Sequence, residues 1–284
     1  MTGASMQDRV ELNAPGVSVT IDLAAGGRAV SWTIDDVEVI GSRSSAPVEY
    51  GMYPMAPWAG RVRDNSLSFG GAEYSLAPNH GVWALHGTVL GSKSRLVDQA
   101  SSNDRSVATI VTDLGPEWPW AGRLTSHWEV AADAVRTRLT LEAEEQSFPG
   151  VLGWHPWFNR RIGAGEPAIW SLTGPLLAER LEAFQLSGAF VPVDLGSRAF
   201  DDTFLVASRA ASIEWPGQLR IDISSSHPWF VVFDELADYI CIEPQSGPPN
   251  GINDSQVAPV TVVAPGEPLS LVNEWRITRG QPAG

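Results

Sequence analysis

The sequence predicts an all-β protein, a large antiparallel β-sandwich in a single domain over residues 1–284. Three observations lead there. The dominant apolar period is two, which puts alternate side chains on one face of a strand. The 27 Gly and 21 Pro punctuate the chain at short intervals. Helical spacing is scarce.

Val17, Val19, Ile21 and Leu23 alternate with Ser18, Thr20 and Asp22, the mark of a half-buried strand. Gly26-Gly27 ends it, and the pattern resumes from Ala29 to Ile34. Leu67 and Phe69 precede Gly70-Gly71, and Tyr74 and Leu76 follow. This predicts a hairpin, because glycine accepts the positive φ of a tight turn. Val135, Thr137, Leu139 and Leu141 form one further alternating run, and Leu219, Ile221 and Ile223 another. Strands are also expected over 230–233, 239–242, 260–263 and 269–277. The one helix candidate is the spacing of Leu177, Leu181 and Phe184 after Pro175.

Composition narrows the function. The 19 Lys+Arg against 33 Asp+Glu give a net charge of −14, which opposes general affinity for nucleic acid or an anionic membrane. The single cysteine, Cys241, forms no internal disulfide, and no CxxC pair is present. The single lysine, Lys93, sits in a polar Gly-Ser-Lys-Ser-Arg stretch unsuited to Schiff-base chemistry. No apolar run is long enough to cross a bilayer, and Met1 to Val10 lacks a signal-peptide core. A cytoplasmic protein is expected, a monomer or weak homodimer. HExxH, Walker A, GxGxxG, GxSxG and EF-hand motifs are absent, and the five histidines show no close-spaced ligand pair, so no metal site is expected.

Polar residues gather among aromatics in four segments. In Tyr53-Pro54-Met55-Ala56-Pro57-Trp58-Ala59-Gly60-Arg61-Val62 stiff neighbours place an arginine whose fork of donors suits hydroxyls or a carboxylate. Asn79 to Gly87 is Gly-rich and carries His80 and His86. His155 lies in Trp154-His155-Pro156-Trp157-Phe158, followed by Asn159, Arg160 and Arg161. His227-Pro228-Trp229-Phe230 repeats the motif but leads directly into a strand, so His155 is the better proton shuttle. Glu243 is expected to close a strand beside Ile242 and Pro244, where partial desolvation raises a carboxyl towards the range of a useful base. Asp201-Asp202 is a fifth, weaker candidate, because two adjacent acids between phenylalanines usually mark a turn or a strand end. Aromatic faces with a few placed polar groups suit a sugar.

In this set the sequence resembles the aldose 1-epimerase (galactose mutarotase-like) family over about residues 15 to 278. The motifs occur in the family's order: Pro57 to Arg61, Leu85-His86-Gly87, His155 to Asn159, Phe200-Asp201-Asp202-Thr203-Phe204, and Glu243-Pro244-Gln245 with Pro249 to Asn253. The resemblance implies a galactose mutarotase-like supersandwich with a sugar cleft on a concave face and no cofactor. It implies Glu243 as general base on the C1 hydroxyl and His155 as general acid on the ring oxygen. It implies Arg61, His86 and Asp201 as residues that hold the sugar hydroxyls. Trp58, Trp83, Trp154 and Trp157 fall inside or beside these motifs, and some of them, with Trp157 as the binding candidate, are expected to line the cleft. Three positions depart from the family's habit: Gly60 stands where Asn is frequent, Trp157 where Tyr is commoner, and Asp202 where His is frequent. The expected activity is interconversion of the α and β anomers of free aldohexoses such as glucose or galactose. The alternatives are a hexose-6-phosphate epimerase, for which Arg160 and Arg161 are the visible basic pair, and a non-catalytic carbohydrate-binding or sensing domain on the same fold.

Overall fold

A computed structural model describes residues 8–181, 184–253 and 256–280. The expected domain limits of 1 and 284, and most of Met1 to Val10, lie outside the described residues. Alternation along the strands sorts side chains into two sheets. The larger, of twelve strands, runs in the order Arg9–Ala14, Val17–Asp22, Arg28–Ile34, Met52–Met55, Gly153–Pro156, Tyr239–Gln245, Trp229–Phe233, Asp201–Val206, Pro175–Arg180 and Leu186–Pro192, with two short strands off this path. The second, of eight strands, runs Ile169–Leu172, Ala210–Trp215, Leu219–Ser225, Leu269–Arg279, Ala134–Ala143, Gly122–Ala131, Arg105–Asp113 and Ser94–Ser101. The named neighbours pair antiparallel.

The sheets close on an aromatic core. Trp128 of the eight-stranded sheet meets Trp154 of the larger sheet at 4.9 Å between ring centroids, and Trp275 meets Trp32 at 6.2 Å. Such edge-on contacts across two inner faces are how a sandwich fills its interior. Strand Gly122–Ala131 buries every second residue, as a sheet with one wet face must. Strand Tyr239–Gln245 buries six of its seven residues. Both of its faces are covered, one by the core and the other by loops, and the second face is where a site can form.

Most expected strands are present, including the hairpin Ser66–Phe69/Ala72–Ser75, whose Gly70 and Gly71 have φ of 62° and 80°. Three expectations are corrected. The helix candidate is instead the strand Pro175–Arg180, paired with Leu186–Pro192 at the edge of the large sheet. Its apolar residues are half wet on an edge hairpin, so their spacing carries no helical information. Residues 182 and 183 lie outside the described residues. The strand holding Glu243 does not close there but continues to Gln245. Strand 260–263 shrinks to Val262–Val263.

Candidate active site

Cross-strand register builds the site. Residues directly opposite each other share a face. His155 is opposite Tyr53, Val231 opposite Glu243, and Thr203 opposite Val231, all on the face turned away from the core. Gly153 opposite Gln245 brings the strands of His155 and Glu243 together. Their side chains meet directly: Nε2 of His155 lies 3.1 Å from Oε1 of Glu243, and both residues are buried. Among the described residues Nδ1 of His155 has no hydrogen-bond partner, and Nε2 is the nitrogen that can exchange a proton with the carboxyl group. The His155 ring is sandwiched between Tyr53, 4.7 Å away at 22°, and Trp157, 5.5 Å away at 15°.

Burial sets the electrostatics. It pushes the His155 imidazolium down to about 3. It pushes the Glu243 carboxyl well above the ordinary range, and the negative charge of Asp201 adds to the rise. His86 is held well below its usual value, first by burial and then by His155. Gln245 donates from Nε2 to Oε2 of Glu243 at 3.2 Å.

A cavity of about 210 Å³ opens over the pair. Arg61, His80, His86, Trp157, Asp201 and Phe184 are among its walls. That is below the roughly 300–1,000 Å³ of drug-sized pockets and suits a small ligand. All six expected site residues therefore converge there. His86 has φ of 59°, and its Nδ1 accepts the Gly60 N–H at 3.2 Å, so its proton sits on Nε2. The turn beside it needs glycine: Gly87 has φ of 86°, and a Cβ there would run into the Ala56 backbone. A Cβ on Gly60 would meet Pro249 at 2.6 Å, so the structure has no room for a side chain before Arg61. The Arg61 guanidinium stacks on Phe184 at 3.7 Å, and its Nε is buried with no hydrogen-bond partner among the described residues. Asp201 has its carboxyl raised by burial, opposed by Arg61 and Arg180. Asp202 is on the opposite face by register and pairs with Arg198 at 2.7 Å.

Some expectations are corrected here. Arg160 donates to the carbonyls of Leu236, Asp234 and Tyr239, and Arg161 to that of Gly165, so neither lines the cavity. Its arginines are Arg43, Arg61 and Arg180. Asn159 likewise spends its amide on the carbonyls of Glu38 and Ile40. The polar partner of His155 is Glu243, not the residues that follow it in sequence. Of Trp58, Trp83, Trp154 and Trp157, only Trp157 lines the cavity, while Trp154 packs into the core. His227 is elsewhere, its Nδ1 3.0 Å from Ser226 Oγ.

Sequence reasoning assigned no role to three contributors: Tyr53 and Gln245, which lie within the segments singled out, and Arg28, which lies outside them. Arg28 is fully buried and has no ion-pair partner among the described residues. Its guanidinium donates to the carbonyls of Ala25, Pro47, Tyr50 and Leu90 and lies 5.0 Å from the Tyr53 ring. Tyr53 opens the segment that ends at Arg61 and Val62, and nothing local marked Arg28.

Comparison with known proteins agrees with this architecture. An uncharacterised Escherichia coli (strain K12) protein, YphB, is 25% identical over 259 residues, covering 83% of this chain and 88% of its own. The structure of a galactose mutarotase-like protein from Clostridium acetobutylicum superposes with a TM-score of 0.83 at 18% identity, covering 95% of both chains. The galactose 1-epimerase of Lactobacillus acidophilus superposes with a TM-score of 0.75 at 16% identity, covering 96% of this chain and 95% of its own. A family model described as aldose 1-epimerase matches residues 8–274, nearly the whole chain, and the chain belongs to that family.

Proposed function

We propose that this protein, as one domain, is a mutarotase that interconverts the α and β anomers of free aldohexoses. The observation that carries the reading is the 3.1 Å contact between His155 and Glu243 in a buried cleft. Ring opening needs a base on the C1 hydroxyl and an acid on the ring oxygen, two oxygens on one carbon. Glu243 takes the proton from O1 as the C1=O1 double bond forms. The C1–O5 bond breaks with its electron pair going to O5, which takes the Nε2 proton of His155. Rotation about C1–C2 presents the other carbonyl face, and closure returns both protons. Arg61, His86 and Asp201 hold hydroxyls, and Trp157 offers an apolar face.

The cleft has no surplus of positive charge for a phosphate. Arg43, Arg61 and Arg180 share its walls with Glu49, Asp201 and Glu243. Arg43 is paired with Glu49 at 3.2 Å. A neutral sugar is favoured over a phosphorylated one.

Polarimetry of freshly dissolved α-glucose and α-galactose tests the reading. The wild type is expected to speed the approach to equilibrium, and Glu243→Gln to abolish the gain. No gain over the spontaneous rate on any aldose refutes it, and a gain confined to hexose 6-phosphates replaces it with the phosphorylated substrate. Sugar binding without turnover points to a sensing domain.

A further inference from the structure

Gln245 is 1% exposed, lines the cleft and stands two residues beyond Glu243 on the same face of the strand. A carboxylate only accepts hydrogen bonds, so the amide must turn its NH₂ group to Glu243, which it does at 3.2 Å. The amide oxygen is thereby left over. Oε1 of Gln245 is buried and has no hydrogen-bond partner among the described residues. An unmet buried acceptor is costly, and its persistence in a cleft wall indicates a donor brought by a ligand. The neighbouring strand leaves space for this side chain: a Cβ on Gly153 would come within 3.1 Å of Gln245 Cγ.

The direction of approach identifies the donor. Oε1 of Glu243 faces His155, while Oε2 faces Gln245. In the proposed reaction His155 serves the ring oxygen and Glu243 the C1 hydroxyl. The anomeric carbon has one other neighbour, C2, and Gln245 lies on the side of Glu243 away from His155.

We propose that Gln245 orients the Glu243 carboxylate through its NH₂ group and accepts a hydrogen bond from the sugar's C2 hydroxyl through Oε1, making it a specificity-determining residue. This rests on the mutarotase reading. It predicts that the enzyme reads the substituent at C2.

The test compares glucose with 2-deoxyglucose in the wild type, Gln245→Met and Gln245→Glu. One neutral hydrogen bond corresponds to about tenfold in kcat/KM, and the wild type is expected to prefer glucose by about that factor. Gln245→Met keeps the length of the side chain and loses both polar contacts. Its preference is expected to collapse to about one, with kcat reduced on both sugars. Gln245→Glu keeps an acceptor but loses the donor to Glu243 and adds a like charge. It is expected to keep the preference while its kcat falls and the alkaline limb of its pH profile moves up. A preference that survives in Gln245→Met overturns the acceptor role, and an unchanged kcat in both variants overturns the orienting role. A preference that collapses only with 3-deoxyglucose overturns the placement at C2.

Tryptophan-fluorescence titration of each protein with both sugars separates this inference from the reading beneath it. Turnover of both sugars at equal efficiency by the wild type overturns the inference alone. Gln245-dependent binding without turnover overturns the mutarotase reading alone. Matching far-ultraviolet circular dichroism shows that the variants are folded.

Discussion

Nε2 of His155 and Oε1 of Glu243 are 3.1 Å apart, on adjacent strands of one sheet, with both side chains almost wholly out of solvent. Burial of both groups in contact disfavours charge on either and leaves one exchangeable proton between them. That is the equipment for moving a proton from one oxygen to its neighbour. The first prediction separates this pair from its sequence twin. His155→Asn should lower kcat by about 10²–10⁴-fold, the usual share of one acid–base group. His227→Asn, beside Ser226 and outside the cleft, should stay within about twofold. Initial rates by polarimetry decide it, and the reverse ranking removes His155 from the mechanism.

The pH profile has a defined shape. Turnover needs Glu243 ionised while His155 is protonated. Burial moves the two groups the opposite way, His155 down to about 3 and Glu243 well up. The working arrangement is then the minor one of the singly protonated pair. The kcat/KM profile should be level through mildly acidic pH and fall on the alkaline side as the shared proton leaves. The Asp201 charge contributes to the rise of Glu243, so Asp201→Asn should bring the alkaline limb to lower pH besides weakening binding. An alkaline limb that moves up contradicts this account.

The same carboxyl group costs stability. Its folded value lies above its unfolded value, so the folded state holds the proton over a pH range where the unfolded chain has released it. Stability from this group is full below the unfolded value and is lost as pH rises, at about 1.4 kcal/mol per pH unit, until the folded value is passed. Glu243→Gln removes this loss. Its thermal midpoint should exceed that of the wild type at pH 7, and the difference should vanish below about pH 4. Calorimetry at both pH values checks the sign.

Arg28 supports the pair from below. Its four carbonyl partners come from three segments of the chain, at 2.6–3.1 Å, and Tyr53 lies between its guanidinium and the His155 ring. Arg28→Met leaves buried carbonyls without donors, each costing about 1–3 kcal/mol. Urea denaturation should show a loss of at least about 3 kcal/mol. Burial is the main cause of the low His155 value, and the Arg28 charge contributes. In protein that remains folded the acid limb should therefore move up.

These residues show where a sequence speaks and where it is silent. The alternation of Val17, Val19 and Ile21 is legible because one face of their strand is wet. The strand of Glu243 hides its continuation to Gln245, because loops cover the face that would otherwise alternate. His155 lines the cleft and its sequence twin His227 does not, yet the neighbours that suggested His155, Asn159 and Arg160, turn to backbone carbonyls. Its partner lies 88 positions further on and is brought in by register. Arg28 left no signal, since nothing local distinguishes an arginine that binds carbonyls from one at the surface. The edge hairpin over 175–192 was misread because half-exposed apolar residues satisfy more than one period.

That hairpin carries the last prediction. Phe184, with φ of 62°, places its ring 3.7 Å from the Arg61 guanidinium carbon. Arg61 has no carboxylate within ion-pair distance among the described residues, and its guanidinium rests on the ring. A stacked guanidinium keeps its edge donors free for hydroxyls, whereas a carboxylate partner would occupy them. Phe184→Leu retains apolar bulk and removes the aromatic face. Loss of about 0.5–2 kcal/mol of cation–π attraction leaves Arg61 free to sample other rotamers. KM for the aldose should rise about 2- to 30-fold. The acid–base pair is not in contact with Phe184, so kcat should stay within about twofold. Phe184→Tyr, which keeps the ring, should restore KM. A fall in kcat at constant KM instead places Phe184 in the chemistry and removes it from the holding of Arg61.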